Sequence, residues 1–218
     1  MKIVAIKQSR SGQNIYFISD EYAEYTLADV LAQAPNVPFE NLQIVTPKGG
    51  QKFVRIKGDN SKVNNLENIT ITCNDGDYLL FDLNSLYLKT KNGRIKKKWE
   101  AVSGDTKSNW SDQKKADFGP IPEGTYTVRF DQTLDYTSAE SLWDRLKWRI
   151  KKPSWGLIIT PLEADIKTNT FGRNNFYIHG GDKPGSKGCI DLTDQNANFH
   201  ETLRLYKRNF KLIVAYKK

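Results

Sequence analysis

Residues 176–192 read FYIHGGDKPGSKGCIDL, and the interpretation of the whole chain starts from this stretch. His179 ends an apolar, strand-like run, and a glycine-rich turn follows it. Ten residues after the histidine, Cys189 opens a second strand-like segment, Cys189–Leu192. A loop that leaves one strand and returns to a neighbouring strand brings these two side chains together.

This juxtaposition predicts a cysteine nucleophile with a histidine base. A free thiol is mostly protonated at neutral pH, so a nucleophilic cysteine needs a nearby base or a positive field. We therefore predict that Cys189 is the nucleophile and that His179 accepts its proton. The backbone amides of Gly188 and Cys189 are natural donors to an oxyanion on an attacked carbonyl.

Either residue type is often purely structural. A cysteine in isolation is commonly a small buried apolar residue, and a strand-end histidine is often only hydrogen-bonded. The remaining cysteine and histidine, Cys73 and His200, lie in no comparable pattern. We predict structural roles for these two.

Composition favours a folded, β-rich protein. With 218 residues the chain can hold one large or two small domains, and its 38% apolar and 11% aromatic content is typical of globular proteins. Runs rich in Val, Ile, Tyr and Thr favour strands over a helical bundle. Two Cys and two His residues in no ligand-like spacing predict that the chain needs no metal or other cofactor.

The net charge of +8 indicates attraction to polyanions, a class that includes nucleic acid, anionic lipid and bacterial cell wall. Zinc-finger spacings and the aromatic signature of RNA-binding sheets are absent, which disfavours nucleic acid as a partner. The N-terminal MKIVAIKQSRSGQ has no apolar run long enough for a signal peptide, and no segment predicts a membrane span. We expect synthesis in the cytoplasm and export, if any, without a cleaved N-terminal signal.

Two domains are predicted, 1–72 and 73–218, with the boundary in the polar stretch that ends near Asp77. The first is a small α+β unit of unknown role. Its predicted elements are strands at Ile3–Ile6 and Ile15–Ile18, a helix from Thr26 to about Ala34, and a hairpin that pairs Leu42–Val45 with Lys52–Ile56.

The second predicted domain is mostly β. Its predicted strands are Tyr78–Phe81, Leu86–Thr90, Thr125–Phe130, Gly156–Thr160, Phe176–Ile178 and Phe210–Tyr216. The spacing of Thr137 and Glu140 predicts a helix that ends before Pro153, and Asn196–Tyr206 is a further helical segment.

The pattern His-Gly, glycine-rich loop, Ser-x-Gly-Cys-apolar resembles the L,D-transpeptidase catalytic family, and most closely its effector-like branch associated with type VI secretion. The resemblance covers about residues 76–216 and implies an L,D-transpeptidase-like β-sandwich or barrel. Supporting segments are WEAVSG at 99–104, GPIPEGTY at 119–126 and Gly172-Arg173. The first seventy residues resemble a small uncharacterised family, which implies no chemistry.

The resemblance implies a role for each matching residue. Cys189 would be acylated by a peptidoglycan stem peptide, and His179 would take and later return the thiol proton. The backbone carbonyl of Gly180 would orient the imidazole ring. Ser186 would brace the loop near the oxyanion site, where Gly188 lies.

This chain also departs from the family pattern. Lys187 stands where a histidine is usual, Asp191 stands where Asn or Arg is usual, and the loop between His179 and Cys189 is short. Lys187 either lowers the pKa of the thiol or is a solvated surface lysine. Arg173 either binds a substrate carboxylate or makes a structural ion pair.

Two basic segments also have alternative interpretations. The run from Arg145 to Trp155 either holds an anionic wall polymer or forms one core-facing and one solvated face of a helix. The cluster Arg94–Lys98 is predicted to be a hydrated hairpin arm.

The predicted function is a cysteine-dependent peptidase or transpeptidase of peptidoglycan stem peptides. Hydrolysis of a Cys189 thioester gives an L,D-carboxypeptidase or endopeptidase, and resolution by an amine gives exchange of D-amino acids or cross-linking. We expect an antibacterial toxin that a secretion-system component delivers to the periplasm of a target bacterium and that an immunity protein neutralises in the producer. The alternative is a non-catalytic cell-wall-binding or secretion-docking module.

Overall fold

The computed structural model describes residues 1–8, 14–19, 23–33, 39–56, 70–137, 146 and 155–216. The chain divides into two compact units. The first comprises Met1–Asn74 with Glu201–Tyr206, and the second comprises Asp75–His200 with Lys207–Lys218. The domain boundary expected after residue 72 stays a prediction.

The first unit combines short strands with one complete helix and with the C-terminal part of another, Glu201–Tyr206. Strand β1 pairs antiparallel with β2 and parallel with β6, and β3 extends the sheet in the order β3-β2-β1-β6, while β4 and β5 form a separate antiparallel hairpin. The elements are β1 (Ile3–Gln8), β2 (Asn14–Ser19), β3 (Glu24–Thr26), α1 (Leu27–Ala32), β4 (Leu42–Val45), β5 (Phe53–Ile56) and β6 (Thr70–Thr72).

Local sequence explains the start of α1. The Thr26 side chain accepts from the Asp29 amide and the Asp29 carboxylate accepts from the Thr26 amide, which is a capping box. The helix begins as predicted and ends at Ala32, whereas Ala34 lies outside the described residues. The core of the unit is apolar and comprises Ile3, Ile6, Phe17, Val30, Phe39, Leu42 and Val54.

The second unit is built on a mixed sheet. In the part of the chain that the structure describes, its strands follow the order β10-β15-β14-β13-β11-β16-β7-β8-β9, and β12 pairs with β13. The strands are β7 (Tyr78–Phe81), β8 (Ser85–Lys89), β9 (Ile95–Glu100), β10 (Val102–Ser103), β11 (Gly124–Val128), β12 (Leu134–Asp135), β13 (Ile158–Ala164), β14 (Phe176–His179), β15 (Ile190–Asp191) and β16 (Phe210–Val214).

The apolar runs of the sequence become the interior strands of this sheet. Ile159, Ile178 and Leu212 are buried on β13, β14 and β16, as expected for strands covered by the fold. Strand β9 reads IKKKWE and lies at the end of the sheet, where lysines discourage edge-to-edge pairing. The prediction of a hydrated arm is wrong for Lys96, whose ammonium pairs with the buried carboxylate of Asp77.

Helix α2 (Asn196–Tyr206) has the predicted bounds. His200 is buried on it, where Nδ1 donates to Asn196 O at 2.9 Å and Nε2 lies 2.7 Å from Thr160 Oγ1. This is the structural role predicted for His200. The helix predicted from Thr137 to Pro153 falls, apart from Thr137 and Leu146, outside the described residues.

Several strand predictions need correction. The strand predicted at Gly156–Thr160 is Ile158–Ala164, and the one predicted at Phe210–Tyr216 ends at Val214. The strand predicted at Thr125–Phe130 ends at Val128, because a 3-10 helix, Phe130–Gln132, follows. Strand β6 lies in a stretch for which no strand was predicted. The prediction of a mainly β chain with a smaller α+β N-terminal part is confirmed, since strands predominate over helices in the described residues.

Candidate active site

The pairing of β14 with β15 places the predicted base, His179, beside the segment that carries the predicted nucleophile, Cys189. The two strands run parallel, with Ile178 opposite Ile190 and His179 opposite Asp191. Cys189 immediately precedes β15, two residues before Asp191, and thus lies at the start of the strand that pairs with the His179 strand. His179 is 1% and Cys189 6% exposed, which places both side chains in the interior wall of the site.

The tautomer of His179 is set by its own backbone surroundings. Nδ1 donates to Gly180 O at 2.8 Å, so the neutral ring carries its lone pair on Nε2, where it can accept a proton. Gly180 O also accepts from Gly156 N at 2.7 Å. A Cβ on Gly180 would lie 2.4 Å from Thr193 O, so only glycine fits at this position.

An aromatic contact that sequence reasoning missed holds the imidazole from one side. The Trp155 indole is parallel to the His179 ring, with centroids 4.4 Å apart. In the sequence Trp155 closes a basic-aromatic run and gives no sign of this partner. The hydrogen bond from Gly156 N to Gly180 O ties the next residue to the same turn.

Asp191 is the second residue that sequence reasoning did not place in the site. Its carboxylate is buried, and Oδ1 lies 3.9 Å from His179 Nδ1. Burial raises the pKa of this carboxyl, while backbone N–H donors and the nearby imidazole oppose the rise. The strand register, which the sequence does not reveal, carries the only signal for this contact.

Ser186 clamps the loop that precedes the cysteine. Its Oγ donates to Cys189 O at 2.6 Å and accepts from Gly104 N at 3.1 Å and from Gly188 N at 3.2 Å. The Gly188 amide is therefore engaged within the loop, and its use as an oxyanion donor requires this bond to break. The expected role of Gly188 and Ser186 at an oxyanion site stays a prediction.

Arg173 holds two backbone segments beside the cysteine. Nη1 donates to Gln113 O and Pro120 O, and Nη2 donates to Gly119 O and Lys187 O. Four of the five guanidinium N–H groups are thus directed at backbone carbonyls rather than at the carboxylate of an ion pair. The arrangement braces the loop, and a substrate contact of Arg173 stays a prediction.

Lys187 lies on the rim of the site. Its side chain is exposed, and Nζ lies 3.8 Å from Asp117 Oδ1 in an exposed ion pair. Such pairs are weak in water, so the lysine is available to a ligand at small cost.

The second cysteine of the chain, Cys73, directs its thiol to Leu205 O at 3.6 Å.

Trp155 lines two cavities. The cavity that contains Cys189 has a volume of about 670 Å³, and its charged wall residues are Lys114, Asp117, Arg173 and Lys187. The cavity that contains Asp191 has a volume of about 690 Å³, and its further charged wall residues are Glu100, Asp182 and Asp194. The thiol therefore faces a mainly basic cavity, and the other cavity is acidic.

The described residues contain neither a metal site nor a membrane-spanning helix. No group of three His, Cys, Asp or Glu side chains there is arranged to hold a metal ion. No helix in the same residues has the length and apolar character needed to cross a membrane.

Comparison with solved structures gives distant similarities. The L,D-transpeptidase (residues 123–326) from Xylanimonas cellulosilytica DSM 15894 is 14% identical, with a TM-score of 0.39 over 66% of this chain and 62% of that chain. The L,D-transpeptidase from Mycobacterium smegmatis is 14% identical, with a TM-score of 0.29 over 83% of this chain and 80% of that chain. The chain thus spans less than two thirds of the first structure's length. No curated protein sequence matches it.

Comparison with protein families is more informative. Residues 2–69 match a family of unknown function, DUF3892, and residues 97–215 match the Tlde1 domain. The resemblance to the effector-like branch is thereby confirmed. Because the second match covers more than half of the 218 residues, the chain belongs to the Tlde1 domain family, a family of type VI secretion effectors.

Proposed function

We propose that this protein is an effector enzyme that acts on peptidoglycan stem peptides through a thioester at Cys189. The observation that carries the proposal is the placement of Cys189 directly before β15, the strand that pairs with the His179 strand β14, with Nδ1 of the histidine held by Gly180 O. Membership of an effector family supports the delivery, and the motif at residues 176–192 supports the substrate class.

The proposed reaction begins with transfer of the Cys189 thiol proton to His179 Nε2. The thiolate then attacks the carbonyl carbon of a peptide bond, the C–N bond breaks, and the amine leaves with the proton from His179. The product is a thioester on Sγ. Water or a second amine attacks this thioester with His179 as base, the C–S bond breaks, and the thiol regains its proton.

The resolving nucleophile decides the outcome. Attack by water makes the enzyme an L,D-carboxypeptidase or an endopeptidase, because the new end is a carboxylate. Attack by an amine forms a new amide and gives exchange of D-amino acids or cross-linking.

The cavity beside Cys189 supports a ligand with carboxylates. Lys114, Arg173 and Lys187 line its wall, against one carboxylate, Asp117. Stem peptides carry several carboxylates, and a wall of one predominant sign raises the local concentration of an oppositely charged ligand. The rings of Trp155 and Phe171 supply apolar surface in the same cavity.

The proposed biological role is an antibacterial toxin. A secretion-system component carries the chain to the periplasm of a target cell, where stem peptides are accessible. A cell that produces the toxin then needs an immunity protein, which protects it from toxin delivered by its sister cells.

Digestion of isolated peptidoglycan tests the activity. The wild-type chain should change the mass profile of released muropeptides, Cys189→Ala should leave it unchanged, and the matched control Cys73→Ala should behave as wild type. If wild type leaves the profile unchanged and both wild type and Cys189→Ala sediment with insoluble peptidoglycan, the chain is a binding module.

Thiol labelling tests the nucleophile without a substrate. Iodoacetamide should modify Cys189 faster than Cys73 near neutral pH, because the thiolate fraction governs the rate. Accessibility alone predicts the reverse order, since Cys189 is buried and Cys73 is only partly buried. His179→Ala should remove the advantage of Cys189, and equal rates in the wild-type protein would contradict the proposed pair.

A further inference from the structure

We infer that Asp191 is a positioning residue for this chemistry: its buried carboxylate faces the imidazole of His179, and its two oxygens fix the turns on either side of Cys189. The inference rests on the proposed function, since it concerns the same nucleophile and base. The inference gives a role to Asp191, which occupies a position where the sequence motif usually has Asn or Arg.

The carboxylate lies where a positive charge would form. Asp191 is directly opposite His179 in the parallel register, and Oδ1 is 3.9 Å from Nδ1, with side-chain exposures of 2% for the histidine and 1% for the aspartate. Because Nδ1–H donates its hydrogen bond to Gly180 O, Asp191 acts on the ring through its charge and not through a hydrogen bond. An opposite charge at this separation favours the charged form of its partner.

The same carboxylate also organises the backbone around the thiol. Oδ2 accepts from Gly185 N at 3.1 Å, and Oδ1 accepts from Thr193 N at 2.8 Å. One turn precedes Cys189 and the other follows it. An asparagine would offer one acceptor oxygen and present an NH₂ group to the other backbone donor, so the two bonds require a carboxylate.

The surroundings make this charge costly, which argues for a task. Burial raises the pKa of Asp191, and the other titratable side chains of its cavity, Glu100, Asp182 and Asp194, are also carboxylates. Within the described residues lining that cavity there is no lysine or arginine. The partner that gains from the Asp191 charge is therefore His179 once it has taken the proton of Cys189.

The test is the pH profile of Cys189 alkylation in the full chain, with Cys73 as internal reference. Asp191→Asn should slow the labelling of Cys189 about tenfold at pH 7 and move the inflection to higher pH, since loss of the charge weakens the imidazolium. In the His179→Ala background the same substitution should not move the inflection further, and a change of rate alone there reports the loss of a loop bond to Gly185 N or Thr193 N. Asp194→Asn removes a carboxylate from the same cavity wall and should match wild type.

The outcomes separate the inference from the proposed function. A wild-type profile that His179→Ala leaves unchanged would overturn the proposed pair. A profile that depends on His179 but is identical in wild type and Asp191→Asn would overturn only the inference. Should Asp191→Asn fail to fold by circular dichroism, the ¹³Cγ resonance of Asp191 in the wild-type protein decides: an ionised carboxyl at pH 7 is expected, and a protonated one contradicts the inference.

Discussion

The indole of Trp155 lies parallel to the imidazole of His179, with ring centroids 4.4 Å apart and an interplanar angle of 6°. This stacked contact restricts rotation of the imidazole about its Cβ–Cγ bond. The ring plane is thereby kept in line with Gly180 O, which accepts a hydrogen bond from Nδ1–H. The stack therefore helps to fix the orientation of the imidazole ring.

Removal of the stack should impair the reaction more than the fold. We expect Trp155→Ala to reduce muropeptide conversion roughly 10- to 100-fold, because a small misplacement of a catalytic group has an effect of that size. Trp155→Phe should retain most of the activity, since a planar ring remains. Trp110→Ala, at a tryptophan that is 40% exposed, is the matched control. Equal losses in the Ala and Phe variants at position 155 would contradict the stacking role.

Ser186→Ala should loosen the loop before Cys189. The substitution removes three hydrogen bonds, to Gly104 N, Gly188 N and Cys189 O, and leaves partly buried backbone groups without that partner. We expect a loss of about 1–3 kcal/mol in the free energy of unfolding, measured in urea, together with slower alkylation of Cys189. Ser111→Ala, which removes an exposed hydroxyl that donates to Asn109 Oδ1, should change neither quantity by a comparable amount.

Gly188→Ala should be more damaging than an ordinary glycine substitution. Gly188 has φ +112°, and a Cβ there would lie 2.0 Å from Arg173 Nη2. The guanidinium is held by backbone carbonyls and has little room to yield. Gly93→Ala is the control, because Gly93 has φ +82° with nothing within 4 Å of its Cβ position. The control should lower the free energy of unfolding by about 1 kcal/mol. An equal loss for Gly188→Ala would show that Arg173 moves freely.

Asp191 should make stability depend on pH in a defined direction. Burial raises its pKa above the ordinary 3.8, so the folded state keeps this proton to a higher pH than the unfolded chain. Its contribution to the free energy of unfolding must therefore decrease as the pH rises above 3.8. This contribution is measured by unfolding in urea from acidic to neutral pH. The comparison is between His179→Ala and the double variant His179→Ala/Asp191→Asn, in which no imidazole at position 179 titrates. A difference between the two that does not change with pH would contradict the expectation.

Location should decide toxicity. Cytoplasmic expression of the chain should be nearly harmless, because stem peptides of the wall lie outside the cytoplasmic membrane. Expression with an added export signal should cause swelling or lysis, and Cys189→Ala should abolish the effect, whereas Cys73→Ala should retain it. Equal toxicity of periplasmic wild type and Cys189→Ala would assign the harm to binding or to the basic surface.

Much of the fold could be predicted because its signals are local. The capping pair Thr26 and Asp29 marks the start of α1, and the glycine turn at residues 48–50 specifies the β4–β5 hairpin. Strand β6 was not predicted, although Thr70, Ile71 and Thr72 are all β-branched, because it is only three residues long and its partner in the parallel pairing is the distant strand β1. Parallel pairing joins residues far apart in sequence and leaves no local pattern.

The sequence by itself determined the spacing of His179 and Cys189, the turn between them and the glycines that the turn requires. Only the tertiary structure decided which groups surround that pair. The β14–β15 register sets Asp191 opposite His179, the tertiary fold brings Trp155 onto the ring, and the Arg173 guanidinium is directed to backbone carbonyls. Composition and periodicity report the chemistry available along a strand or turn, whereas the partner of a side chain depends on contacts between segments distant in sequence, which no local pattern encodes.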